Sequence, residues 1–160
     1  MNHKPELLLL RQTLELCHGH VQALTDALSD MKLRAFNAAS YAHLSKEDLR
    51  LLDQFAYRFT RLQDDMGARL MPATLKALGE DVAAMPALDR LARLEQLGWL
   101  PSADEWAGLR HIRNEFSHDY PDTPEQRFER LQAAVNAATQ MTSILQHISA
   151  KVHQRFGLSF

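Results

Sequence analysis

The chain has 160 residues, enough for one domain with a real core, and its 46% hydrophobic content argues against disorder. No stretch approaches the roughly 18–20 apolar residues of a membrane helix. The short apolar run Leu7 to Leu10 stops at Arg11, with no small-residue cleavage site behind it, so a cytoplasmic protein without a membrane contact is expected. Cys17 is the only cysteine, which rules out an intrachain disulfide and fits a reducing compartment. A net charge of -2 excludes a uniformly basic nucleic-acid coat, so any nucleic-acid surface must be a local concentration of arginine. Arginine outnumbers lysine by 13 to 5, and its fork suits phosphate better.

In chain order, the first segment, about residues 5 to 40, reads as a helix. Leu7, Leu10, Leu14, Cys17, Val21, Leu24, Leu28 and Met31 alternate steps of three and four and make one apolar stripe. Gly19 interrupts it at a cost of about 1 kcal/mol relative to alanine. Ser45, followed by Glu47 and Asp48, caps a second helix with acids in its first turn. Leu52, Phe55, Phe59, Leu62, Met66 and Leu70 are its inward stripe. Pro72 is expected to kink or end it, and Gly79 to stop the short helix that follows.

A shorter helix starts near Pro86, lined by Leu88, Leu91, Leu94 and Leu97, and ends in the apolar loop Gly98-Trp99-Leu100-Pro101. Ser102 and Glu105 have the spacing of a capping box that opens the next helix, whose core face is Leu109, Ile112 and Phe116. Pro121 keeps that helix from running far past His118. Thr123-Pro124-Glu125 caps a last long helix to about Arg155, with Phe128, Leu131, Val135, Met141, Leu145, Ile148 and Val152 inward. No segment alternates as a strand would. The expectation is a single all-α domain over residues 1–160, an antiparallel bundle of four long helices plus a short one.

The chemistry concentrates in Arg113-Asn114-Glu115-Phe116-Ser117-His118-Asp119-Tyr120. Wound at about 100° per residue, Arg113, Trp106, Ser117 and Arg110 lie together on a flank of the core face, while His111, Glu115 and His118 point away. Arg113 thus sits at the edge of the core, where its stem packs and its guanidinium reaches a groove. Asn114 can orient a neighbour or a phosphate oxygen, and Arg110 can form a basic rim. An arginine and a histidine suit metal-free RNA cleavage: a base takes the 2′-hydroxyl proton, a cation stabilises the phosphorane, and an acid protonates the leaving oxygen. One histidine per chain is sparse for both proton transfers, and two chains facing each other would supply two. The spacing by itself equally fits an arginine paired with Asp119 or with an acid on another helix, and a histidine that merely ends a helix.

Arg113-Asn114-x3-His118-x-Tyr120, on the penultimate helix of an all-α chain, resembles the signature of HEPN domains, in particular the HepT-like toxins of HEPN/MNT toxin–antitoxin modules. The resemblance covers about eight residues as motif and most of the chain as architecture. It implies a homodimeric, metal-independent endoribonuclease without a cofactor, in which Arg113 and His118 are the catalytic pair and Asn114 fills the polar slot. It also implies that Tyr120 is the tyrosine that a partner MNT-type nucleotidyltransferase antitoxin modifies with AMP. Some members of the family instead bind nucleotidyltransferases and present their substrates, so a non-catalytic module is the alternative.

Other residues have plainer readings beside a functional one. Asp64 and Asp65 follow Arg61; Asp65 either pairs with Arg61 one turn away or is an acid that orients Arg113 or His118 across the groove. Cys17, His18 and His20 do not share a helix face suited to tetrahedral ligation, so no metal site is expected. Trp99 and Trp106 either stack bases or, more often for such residues, pack a loop against the bundle. Arg127 and Arg130 extend the basic rim or are ordinary solvated positions.

Overall fold

The computed structural model describes residues 4–118 and 123–159, and over these the protein is all-α, with no strand. Long helices α1 (Lys4–Arg34), α2 (Lys46–Asp65), α5 (Ala103–Ser117) and α6 (Pro124–Phe156) are joined by two short ones, α3 (Met71–Ala77) and α4 (Ala87–Gln96). None of the described helices is long and apolar enough to cross a membrane.

The stripe on α1 is the face that packs. Leu10, Leu14, Cys17, Leu24 and Met31 are buried, with Leu7, Val21 and Leu28 partly so beside them. The helix stops at Arg34 rather than near residue 40. Ala35 turns left-handed (φ 50°), and Asn37 and Ser40 then bond each other reciprocally. The Asn37 N–H donates to Ser40 Oγ and the Ser40 N–H to Asn37 Oδ1, both at 2.9 Å. Short polar side chains that satisfy the backbone locally compete with continued helix.

Ser45 opens α2 with a full capping box. Its Oγ accepts from the Asp48 N–H (3.1 Å) and its own N–H donates to the Asp48 carboxylate (3.3 Å). Phe55, Phe59 and Leu62 are fully buried. Pro72 does not end the helical run. A π-helical turn, Met66–Leu70, lies directly before it and leads straight into α3. Proline offers no N–H to the preceding turn and crowds its carbonyl, and a widened turn accommodates that without breaking the chain's direction. Gly79, at φ 85°, closes α3.

Helix α4 follows Pro86 and packs on α3 and α5. Leu94 is buried and Leu91 and Leu97 partly so, but Leu88, in the first turn, is 77% exposed. Trp99 and Leu100 turn into the core after Gly98 (φ 78°). Ser102 caps α5 through one bond, from the Glu105 N–H to Ser102 Oγ (3.1 Å), and not through the reciprocal box that its spacing suggests. Thr123 and Gln126 do form the reciprocal box at the start of α6, which runs to a left-handed Gly157. Leu131, Met141, Leu145, Ile148 and Val152 are its buried face.

Helices α2 and α5 run in opposite directions. Phe116 sets its ring edge-on against Phe55 and Phe59 (centroids 5.8 and 5.5 Å), and Trp106, ten residues earlier, lies against Gly67. A β-carbon on Gly67 would stand 3.4 Å from the indole, so glycine lets α5 come this close. Trp106 is only 2% exposed and belongs to the core rather than to its flank. This pairing places the site.

Candidate functional site

Asp64, at the end of α2, holds Arg113, in the third turn of α5. Arg113 Nε donates to Asp64 Oδ1 (3.0 Å) and Nη2 to Oδ2 (2.8 Å), a parallel two-bond fork. Nη1 takes no part in that pair. Arg113 is half-buried, and the Asp64 side chain is 44% exposed, so the pair is a positioning device more than a source of stability.

The pair stands in the wall of a groove of about 440 Å³ bounded by the α2 end, the π turn, α4 and α5. Arg110 and Asn114, both exposed on α5, lie in the same wall, and buried Trp106 forms part of the floor. Arg90 reaches the groove from α4, its guanidinium anchored on the carbonyls of Met85 (3.1 Å) and Val82 (3.3 Å). Three arginines against one carboxylate make the groove locally positive in a chain of net charge -2. Local arginine concentration is the condition that composition sets for binding a polyanion.

The other site residues fall out differently. His118 is the residue after the last turn of α5; its backbone is extended (φ -85°, ψ 134°), its N–H donates to the Glu115 carbonyl, and it is exposed. It stands at the helix end rather than beside Arg113 in the groove wall. Tyr120 lies outside the described residues, as do Asp119 and Pro121. Trp99 and Trp106 are both buried, so they pack the fold and offer no face to a base.

Asp65 is the clearest correction. It is not an acid at the groove: it is 4% exposed, faces α1, and bonds His20 at 2.7 Å, with Arg69 at 3.5 Å. The carboxylate on Arg113 belongs to its neighbour Asp64. Successive helix residues are about 100° apart, so adjacent acids address different helices.

Sequence reasoning missed the network behind Asp65. His20 is 4% exposed; Arg58 Nη1 lies 3.1 Å from its Nδ1, and Asp65 Oδ2 lies 2.7 Å from its Nε2. A guanidinium can only donate, so Nδ1 accepts and Nε2 carries the proton given to Asp65. The only legible signal was position: His20 follows Cys17 by three on α1, at the edge of the apolar stripe. Burial pushes the Cys17 thiol up to about 12, with the Asp65 charge adding to the rise and Arg69 opposing it. Among the described residues, no group of three or more His, Cys, Asp or Glu converges to hold a metal ion.

No protein-family model, curated protein or solved structure gives a significant match to this chain. The functional reading therefore rests on the residues themselves.

Proposed function

We propose that the protein is a metal-independent endoribonuclease of the HEPN, HepT-like kind, acting as the toxin of a toxin–antitoxin pair. The observation that carries this is the Arg113 guanidinium, fixed by Asp64 in the wall of an arginine-rich groove, with Asn114 alongside and His118 exposed at the end of the same helix. Arg113 binds the scissile phosphate and stabilises the charge that builds on it. His118 takes the 2′-hydroxyl proton or protonates the departing 5′-oxygen, while the 2′-oxygen attacks phosphorus and leaves a cyclic phosphate. Because His118 stands at the helix end and not beside Arg113, the two proton transfers call for a second chain, and the working unit is a homodimer whose two α5 ends share one RNA strand. Tyr120, two residues beyond, is the position at which AMP transfer from an MNT-type nucleotidyltransferase antitoxin silences the site.

The test is digestion of single-stranded RNA by the purified protein with a chelator present. Cleavage is expected, and is expected to vanish in Arg113→Ala and His118→Ala. Arg113→Lys should also lose most of it, because an ammonium cannot form the fork with Asp64. Cleavage that survives His118→Ala, or that needs added metal, sinks this reading.

The displacement of His118 from the groove wall also favours a second reading: a non-catalytic HEPN module whose groove docks a nucleotidyltransferase and presents its substrate. Tight binding of such a partner by a protein that cleaves no RNA would establish it.

A further inference from the structure

Gln63 and Trp106 are polar side chains that the fold buries at the groove without pairing them. Gln63 is 4% exposed and Trp106 2%, and both line the groove. Among the described residues, neither the Gln63 amide nor the Trp106 indole N–H meets a hydrogen-bond partner. Neither group is fully enclosed, so what stays open of each gives onto the groove. The two belong together: Gln63 stands one turn before Gly67 on the same face of α2, and Trp106 turns the Nε1 edge of its indole to Gly67. Burying a polar group unpaired costs folding free energy, and a leucine at position 63 would fill similar space without that cost. Gln63 and Trp106 together offer an acceptor and several N–H donors to whatever enters.

The rest of the lining adds apolar surface and charge. Met71, Ala87 and Leu91 supply the first. Arg90 is held by neutral carbonyls, and among the described residues no carboxylate pairs with it or with Arg110. Their charge is therefore uncompensated, whereas that of Arg113 is met by Asp64. A ligand that answers all of this has a flat ring edged with donors and acceptors, apolar faces and an attached anion, which is the chemistry of a nucleotide. The groove, at about 440 Å³, falls in the roughly 300–1,000 Å³ range of small-ligand sites.

We infer that the groove is a pocket for a single nucleotide, whose base edge bonds the Gln63 amide and the Trp106 N–H and whose phosphate lies among Arg90, Arg110 and Arg113. Resting on the ribonuclease reading, that nucleotide belongs to an RNA strand, and Arg113 holds the phosphate attached to it. A base reaches the groove only when it is unstacked and unpaired, so the substrate is single-stranded. Different bases present different edges, so they bind unequally. A free nucleotide carries the same chemistry, and the assay separates the two sources.

The pocket is read by calorimetry with AMP, GMP, CMP and UMP, and with ribose 5-phosphate as the base-free control. At least one nucleotide should bind about tenfold or more tightly than ribose 5-phosphate. Gln63→Leu should bring that nucleotide down to the ribose 5-phosphate level and leave ribose 5-phosphate unchanged. It should also melt at the same or a higher temperature, because it removes an unpaired amide from the interior. In the His118→Ala protein, where RNA stays intact, adding Gln63→Leu should weaken binding of a fluorescent single-stranded oligoribonucleotide by about tenfold, read by anisotropy. The pocket is refuted if Gln63→Leu binds nucleotides as wild type does, or if ribose 5-phosphate binds as tightly as every nucleotide; RNA cleavage by wild type then leaves the ribonuclease reading standing. If mononucleotides bind through Gln63 but the oligoribonucleotide is neither bound nor cleaved, the pocket stands with a free nucleotide as its ligand, and the ribonuclease reading fails.

Discussion

Replacing His20 by alanine should destabilise the fold by about 3–5 kcal/mol, because it strands the Asp65 carboxylate. Both side chains of the pair are 5% exposed, so solvent neither screens the present interaction nor rescues the acid once its partner is gone. Among the described residues the cation at Asp65 is Arg69, at 3.5 Å with a side chain 61% exposed, which is too long and too wet to replace a 2.7 Å bond. For a chain of this size the loss corresponds to a fall of about 6–20 °C in Tm, read by circular dichroism at the helical minimum. Replacing both partners with leucine should recover most of it, since apolar groups of similar volume leave no stranded charge and Arg58, only half-buried, can turn to solvent. A loss below about 1 kcal/mol for His20→Ala, or a double variant whose loss equals the sum of the single losses, would show that the pair is not the coupled unit that its geometry indicates.

Other consequences are open to measurement. Asp64→Ala should cost less than about 1 kcal/mol, since its side chain is 44% exposed; on the proposed ribonuclease reading it should also lower RNA cleavage by tenfold or more through loss of the Arg113 orientation, and cleavage equal to wild type would refute a positioning role. Cys17 should resist thiol reagents in the native protein and react only as the chain unfolds, because burial holds its pKa at about 12. The sign for stability follows: the thiol's contribution is complete below its ordinary value of 9.0 and is lost as pH rises from there towards about 12, so Cys17→Ala should flatten that alkaline decline. Burial lowers the pKa of His18, which bonds Ser149 at 2.9 Å, so its contribution is present above 6.5 and lost as pH falls below it; His18→Gln should remove that part of the acid sensitivity in urea titrations. Trp106→Ala should cost about 3–5 kcal/mol and open the groove floor at Gly67, and a melting curve like that of wild type would contradict its burial.

Much of the fold was legible because helices announce themselves locally. The stripes on α1, α2 and α6, the Ser45 and Thr123 caps and the stops at Gly79 and Gly98 depend only on residues within a turn or two of each other. Two local devices still escaped. The Asn37–Ser40 turn ends α1 early by offering the backbone other partners, and the π turn before Pro72 carries the helix through a residue that ordinarily breaks it. Leu88 has a helical spacing that points inward, but its side chain stays in water.

The sequence by itself determined the all-α class, most helix ends and the cluster Arg110, Arg113, Asn114 on one helix, since these follow from periodicity and winding. Only the tertiary structure decided which acid meets Arg113. Asp64 and Asp65 are chemically identical and adjacent, and the choice turns on a rotation of about 100° and on which helices lie to either side of α2. The same rotation sends Asp65 to His20 in the core. No spacing rule within one helix contains that information, because it belongs to the arrangement of α1, α2 and α5 around a shared core.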